Sequence, residues 1–329
     1  MRTKREVIIA AIIIILSVCL LSCEKKNEVT ASGTIVKDYS GREIIIPENA
    51  ERIIPVGPVF AEYMCVVGAQ DKIAGLARAR HSFLLDRYLP DQDSYPLTGF
   101  GNAFSIEKLL ELRPDLVFCS NDEGLINDID KHGITAVGTY PKNMDELYEQ
   151  INIIGIGSGK KEEAEKVVKF LKDEIDKAKK LTAGLKAKER PIVYYAREEM
   201  LETMGKGVQA DAIEAAGGLN AASVIDEEHN SIIVSLENIY QWDPDVIILR
   251  SDSTLKPEDI YDDQVWGELK AVKNKQVYCG KYARTEFSLE TPFGILEKGK
   301  WLQPDLFKDI DPDREYEEFL KLIDSFYDK

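Results

Sequence analysis

An internal repeat constrains this chain more than any other feature. Ser105-Ile-Glu-Lys-Leu-Leu-Glu-Leu-Arg-Pro-Asp-Leu-Val-Phe118 aligns without gaps on Ser235-Leu-Glu-Asn-Ile-Tyr-Gln-Trp-Asp-Pro-Asp-Val-Ile-Ile248. Each copy reads as one unit. A serine can N-cap a helix, a glutamate sits in the first turn where the macrodipole favours an anion, and Pro-Asp stops the helix before a buried strand. A chain that carries this unit twice is expected to hold two lobes of one plan. Its 329 residues agree, since one core rarely grows so large and two domains of roughly 100 to 200 residues suit the length.

The surrounding pattern repeats as well. Thr34 to Tyr39 and Glu43 to Ile46 flank Ser40-Gly41 as a hairpin, and Arg52 to Val56, Lys72 to Leu76 and Leu116 to Cys119 read as strands. Phe60 to Val67 and Ile106 to Leu112 read as helices between them. After Pro191 come strands Ile192 to Tyr195, Val246 to Leu249 and Gln276 to Cys279, with helices Gln209 to Ala216 and Leu236 to Trp242. Strands alternating with helices predict parallel sheets covered on both faces. Between the halves, Lys160 to Leu185 places Ala164, Val167, Val168, Leu171, Ile175, Ala178 and Leu181 at helical spacing, which predicts a stiff amphipathic helix of about 25 residues. The expected fold class is α/β, with two Rossmann-like lobes joined by a single long rigid α-helix and a ligand cleft between the lobes. The expected organisation is 1–22 signal peptide, 23–33 flexible tether, 34–158 N-terminal lobe, 159–186 interlobe helix and 187–329 C-terminal lobe. Gly155-Ile-Gly-Ser-Gly-Lys160 lacks the first glycine and the hydroxyl position of a Walker loop, so it reads as a flexible lead-in to the long helix.

The N-terminus carries Arg2, Lys4 and Arg5 ahead of an apolar run from Val7 to Leu21, as in a secretory signal, and is short for a membrane span. Leu20-Leu21-Ser22-Cys23 resembles the bacterial lipobox, which implies lipidation of Cys23 and an extracytoplasmic body anchored in the membrane by its N-terminal lipid; an uncleaved anchor is the alternative. Acidic residues number 58 against 42 basic ones, a net charge of −16 that repels nucleic acid. The chain has only His81, His132 and His229 and no Cys-x-x-Cys, which leaves a zinc finger or a multi-histidine cage without ligands. Cys65, Cys119 and Cys279 stand in apolar contexts and read as buried small hydrophobes. No catalytic group, resident metal or cofactor is singled out, and there is no Gly-x-Ser-x-Gly elbow.

Several segments taken together carry a resemblance. The doubled Ser-x-Glu unit ending in Pro-Asp, the segment Val66-Val-Gly-Ala-Gln-Asp-Lys-Ile-Ala-Gly75, the segment Val265-Trp-Gly-Glu-Leu-Lys-Ala-Val-Lys-Asn-Lys-Gln-Val-Tyr278 and the interlobe helix resemble the class III substrate-binding lipoproteins of cobalamin, haem and ferric-siderophore ABC importers. The resemblance runs from about Ile35 to Tyr327. It implies a cleft between lobes, little hinge motion, and one glutamate per lobe docking on permease arginines. The matching positions are Glu107 and Glu237, and N-terminal capping is their local alternative.

Ligands of parallel α/β sheets bind beyond the carboxyl ends of the strands. Reading those ends gives Arg78, Arg197, Arg250 and Arg284, a concentration of guanidinium groups suited to carboxylate, catecholate, phosphate or oxyanion oxygens. Arg80 and His81 join Arg78, and Tyr195 with Tyr194, Tyr140 and Tyr282 could face a conjugated ligand. The competing reading pairs these arginines with nearby acids such as Glu198, Glu199, Asp252 and Glu286. The expected function is capture of an anionic ferric complex, a siderophore foremost, for delivery to an ABC permease and its ATPase. Haem, cobalamin, molybdate or tungstate are the alternatives within the fold, and a lipid-anchored hydrolase with an Asp or Glu pair is the alternative outside it.

Overall fold

The structure, a computed structural model, describes residues 33–47, 50–78, 82–139, 141, 143–225, 231–251, 253–282 and 288–327. The signal, tether and Cys23 readings, and those on Arg80, His81, Tyr140 and Arg284, therefore lie outside the described residues. A hairpin opens the description, β1 (Gly33–Lys37) antiparallel to β2 (Glu43–Pro47), its turn tied by an Arg42–Asp38 ion pair at 2.8 Å. The first lobe follows with β3 (Ile53–Val56), α1 (Pro58–Val66), α2 (Phe83–Tyr88), α3 (Ile106–Glu111), β4 (Leu116–Ser120), α4 (Glu123–Asp130), β5 (Thr135–Thr139) and α5 (Met144–Gly157). Its sheet is parallel in the order β3-β4-β5. The connecting helix α6 runs Lys161–Thr182, about 33 Å at 1.5 Å per residue.

The second lobe comprises β6 (Ile192–Ala196), β7 (Glu202–Thr203), α7 (Val208–Ala215), β8 (Leu219–Asn220), β9 (Ile232–Ile233), α8 (Leu236–Trp242), β10 (Val246–Leu249), α9 (Pro257–Tyr261), α10 (Lys270–Lys273), β11 (Val277–Cys279), α11 (Thr291–Leu302) and α12 (Pro312–Tyr327). Its parallel sheet has the order β11-β10-β6-β8, and β7 pairs with β9 in a small antiparallel ribbon.

Both sheets are buried on both faces, which is why their strands are continuous apolar runs such as Val-Ile-Ile-Leu in β10. Alternate residues feed different cores. Tyr194, Ile247 and Leu249 pack beneath Ile239, Ile260 and Ala271 of α8, α9 and α10, while Val193, Tyr195, Val246 and Ile248 join a larger core. That larger core also takes Ile53, Leu116, Phe118 and Val137 from the first sheet and Ala164, Val167, Leu171, Ile175 and Ala178 from α6. One continuous apolar mass thus spans both lobes, and residues 33–329 form a single compact unit. Helix α12 returns across the boundary: Asp324 pairs with Arg87 at 2.7 Å, and the Tyr327 hydroxyl donates to the Cys65 carbonyl at 2.8 Å.

Three local expectations need correction. Lys72 to Leu76 is not a continuous strand; Ile73 and Leu76 make isolated parallel bridges to Ile53 and Leu97 after a short turn of 3-10 helix. Gly155 and Gly157 are not a flexible lead-in but the last turn of α5, where a Cβ would stand 2.4 Å from Ala164 Cβ and 2.5 Å from Leu116 Cδ2 respectively. They are glycines because α6 and the sheet approach that closely. Cys65 and Cys119 are buried, and burial pushes the Cys119 thiol up to about 12, whereas Cys279, at the end of the edge strand β11, is exposed.

Candidate ligand-binding site

Parallel pairing brings strand ends together. Leu249 of β10 stands in register with Ala196 of β6, so the next residues, Arg250 and Arg197, emerge side by side, and the Arg250 amide donates to the Ala196 carbonyl at 2.9 Å. Cys279 ends β11 beside them, its Sγ 3.8 Å from the Arg250 carbonyl. The two guanidinium groups are held by local carboxylates: Arg250 Nη1 reaches Glu198 Oε1 at 3.2 Å and Arg197 Nη1 reaches Glu202 Oε1 at 3.3 Å. Glu198 was among the anticipated partners; Glu202 was not, because it is brought back on Arg197 by a tight turn over residues 197–202, closed by Arg197 N–H to the Glu202 carbonyl, that the reading did not foresee. The Arg250 side chain is 10% exposed and that of Glu198 69%, so the pair presents a deep cation beneath a loose, solvated acid.

In the first lobe Arg78 is exposed and lies with its guanidinium carbon 5.2 Å from the Phe100 ring centroid, a cation–π contact that orients it without neutralising it. Phe100, 44% exposed, is a neighbour of Arg78 that the sequence reading did not name. The tyrosines fall elsewhere. Tyr194 and Tyr195 are 0% and 3% exposed in opposite cores, Tyr194 donates to the Met200 carbonyl at 2.6 Å, and burial raises its pKa. Tyr282 is buried against Phe293 and Tyr316 and bonds Asp313 at the start of α12. Residues along a short strand alternate between faces, and the pleat turns Tyr194 and Tyr195 into opposite cores, while Tyr282, past the end of β11, is buried by packing on α11 and α12.

Two further features mark the strand ends. Helices α1 and α7 each begin after a glycine in the positive-φ region, Gly57 at 149° and Gly207 at 112°, with no side-chain cap on the first turn. Their positive dipole ends add to the arginine charge at the carboxyl edge of each lobe. Among the described residues no group of three or more His, Cys, Asp or Glu is placed to hold a metal ion.

The paired glutamates sit on the outer helices. Glu107 and Glu237 are both exposed. Capping is performed by the serines, Ser105 Oγ accepting from Lys108 N–H at 3.3 Å and Ser235 Oγ from Asn238 N–H at 3.1 Å. Backbone hydrogen bonding in the first turn and Ser105 hold the Glu107 carboxyl below its usual range.

The family description "Periplasmic binding protein" matches residues 61–282, about two thirds of the chain. The chain belongs to the periplasmic binding protein family. Among its relatives, the molybdate-binding protein MolA of Haemophilus influenzae is 25% identical over 96% of this chain and 95% of its own. The molybdate-bound structure of MolA covers 88% of this chain and 97% of its own at TM-score 0.76 and 23% identity. An uncharacterized ABC transporter substrate-binding lipoprotein of Bacillus subtilis, YvrC, is 23% identical over 93% of this chain and all of its own. A periplasmic solute binding protein of Veillonella parvula gives TM-score 0.71 at 27% identity, covering 87% of this chain and 91% of its own. The two-lobed fold built on one long helix is that of these proteins, and the chain is a substrate-binding protein of an ABC transporter.

Proposed function

We propose that this protein captures an anionic ferric complex outside the cytoplasm and delivers it to an ABC permease without chemical change. The observation that carries the reading is the pair Arg197 and Arg250, placed side by side at the carboxyl ends of adjacent strands in a strongly acidic chain. An anion entering there displaces the solvated Glu198 from a cation already desolvated, and charge-assisted hydrogen bonds gain strength in such a setting. Arg78, on Phe100, supplies the contact from the first lobe, with Arg80, His81 and Arg284 completing the set. The pleat leaves Tyr195 as a packing residue behind the site. Glu107 and Glu237, exposed on the outer helices, dock one lobe each on the permease. Cys23 carries the lipid that holds the protein at the membrane.

A second reading, a molybdate-like oxyanion, is favoured by the relative in Haemophilus influenzae and by the two uncapped helix starts. Native mass spectrometry of the full-length protein purified from its own host, with an absorbance spectrum, tests both. A coloured iron-containing adduct supports the first, a colourless oxyanion mass the second, and a neutral or cationic adduct overturns the anionic reading altogether.

A further inference from the structure

A cavity of about 610 Å³ lies apart from Arg78, Arg197 and Arg250, where both lobes meet α6. Its walls come from three places: Met144, Asp145 and Tyr148 at the start of α5, Lys172, Ile175, Asp176 and Lys179 along α6, and Asp211, Glu214, Leu219 and Ile295 in the second lobe. Neither Arg197 nor Arg250 reaches it. Its size is that of an ordinary small-molecule pocket.

The chemistry of the wall is unbalanced. The side chains of Asp176, Asp211 and Glu214 form no hydrogen bond or ion pair with the described residues, and Asp145 meets Lys172 only at 3.9 Å. The cations are largely committed. Arg190 donates to the Glu214 and Thr182 carbonyls at 3.0 and 3.1 Å, and Lys172 lies 5.2 Å from the Tyr148 ring centroid. Three cations, Lys172, Lys179 and Arg190, thus share the wall with four carboxylates, of which Asp176, Asp211 and Glu214 keep no side-chain partner among the described residues. Asp211 is exposed at the rim, and partial loss of hydration with Glu214 nearby raises its pKa, an effect an incoming cation reverses.

Tyr148 supplies an independent sign. It is 3% exposed and its hydroxyl has no partner, a costly state for a buried polar atom. Tyr148 lines the cavity, and burial with the nearby acids Asp145 and Asp176, both cavity residues, raises its pKa. Between the acids of α6 and those of α7 the floor is apolar, from Ile175, Ala215, Leu219 and Ile295. Separated carboxylates over an apolar floor, with no cluster of three metal-ligating side chains among the described residues, fit an organic cation with spaced charges.

We propose that this cavity is a binding site for an aliphatic polyamine, whose ammonium groups pair with Asp176 on one wall and with Asp211 and Glu214 on the other while its methylenes cover the floor. The Tyr148 oxygen accepts from one ammonium. A molecule bound there touches both lobes and α6 at once, independently of the ligand at the arginines.

The test is equilibrium dialysis of the full-length protein in detergent against spermidine at low salt. Saturable one-to-one binding is expected. Asp211→Asn and Asp176→Asn should each weaken it about tenfold, the loss of one charge-assisted bond. Leu219→Trp, at a half-exposed position, should block it by filling the cavity. Glu317→Gln, on the exposed face of α12, removes one negative charge elsewhere and should leave affinity unchanged. Tyr148→Phe removes an unpartnered hydroxyl, so it should raise Tm while weakening spermidine. The proposal is overturned if no saturable binding occurs up to millimolar spermidine, or if Glu317→Gln weakens binding as much as the cavity substitutions do.

Discussion

The two copies of the repeat differ in sequence at most positions yet adopt one backbone. Arg113 and Asp243, the residues before the paired prolines, both take positive φ, at 47° and 42°, although neither is glycine. The following aspartates do the same work. Asp115 Oδ2 accepts from the amides of Glu51 and Arg52 ahead of β3, at 2.9 Å each, and Asp245 Oδ2 accepts from the Ile192 amide at the start of β6, at 2.8 Å. Each aspartate ties the start of one strand to the start of its neighbour, so Pro-Asp is a register device as well as a helix stop. Where the copies diverge, side-chain surroundings decide. Glu107 is bonded by Ser105, whereas in the second copy Asn238 turns back to the Ser235 amide in a capping box and leaves Glu237 apart. The backbone is shared because two sheets need the same strand entrances; the outer surfaces are free to differ because no strand entrance constrains them.

The largest expected effect concerns those outer surfaces. Glu107→Lys and Glu237→Lys should each abolish most uptake while ligand affinity stays unchanged; Tm should hold for Glu237→Lys and fall slightly for Glu107→Lys, which loses the bond from Ser105 and puts a cation in the first helical turn. If only one of the two matters in whole-cell uptake, the lobes dock unequally and their pseudo-symmetry ends at the surface.

The next contrast lies inside. The first lobe packs α5 on α6, while α11 of the second lobe buries Lys298, 3% exposed, whose Nζ among the described residues donates only to the Gly294 carbonyl of its own helix, 3.5 Å away. Burial lowers its pKa to about 8, with Glu297 partly opposing. Because the folded value lies below the unfolded one, the penalty is fully present below about pH 8 and is relieved as pH rises toward the unfolded value. Lys298→Met should therefore stabilise the protein at pH 7, by about 3 kcal/mol from the size of the shift. The gain should shrink between pH 8 and 9.5 in paired urea titrations. A gain independent of pH would mean that the amine reaches water.

The smallest effect is at the site. Truncating Arg250 or Arg197 to alanine should cost about 1.5 to 3 kcal/mol of ligand affinity, roughly ten- to hundredfold. Arg78→Ala, in the other lobe, should weaken the same ligand by less, because its guanidinium is exposed and screened. Tryptophan quenching with the identified ligand measures all three. If Arg78→Ala is silent, the ligand rests on the second lobe alone.

Much of this was legible beforehand. Helix α8 and strand β10 have the limits the spacing predicts, and α6 differs by a few residues, because capping serines, Pro-Asp stops and apolar periodicity are local signals. The adjacency of Arg197 and Arg250 followed from parallel strand ends. Helices α2, α4, α5, α9, α10, α11 and α12 and strands β5, β7, β8 and β9 went unread; α5, for one, mixes Asp145, Glu146, Glu149, Gln150 and Asn152 with its apolar residues and buries Gln150, which blurs its apolar stripe.

By itself, then, the sequence determined what depends on neighbours a few residues apart: the doubled unit, the rigid connecting helix and the strand-end arginines. Only tertiary structure decided what depends on distant partners. It put Tyr194 and Tyr195 into cores, since pleat and sheet order choose which face is buried, and it packed Tyr282 on α11 and α12. It fastened α12 to the first lobe through Asp324 and Tyr327. It also gathered Tyr148, Asp176 and Asp211 from three helices around one cavity, a meeting that no spacing along the chain encodes.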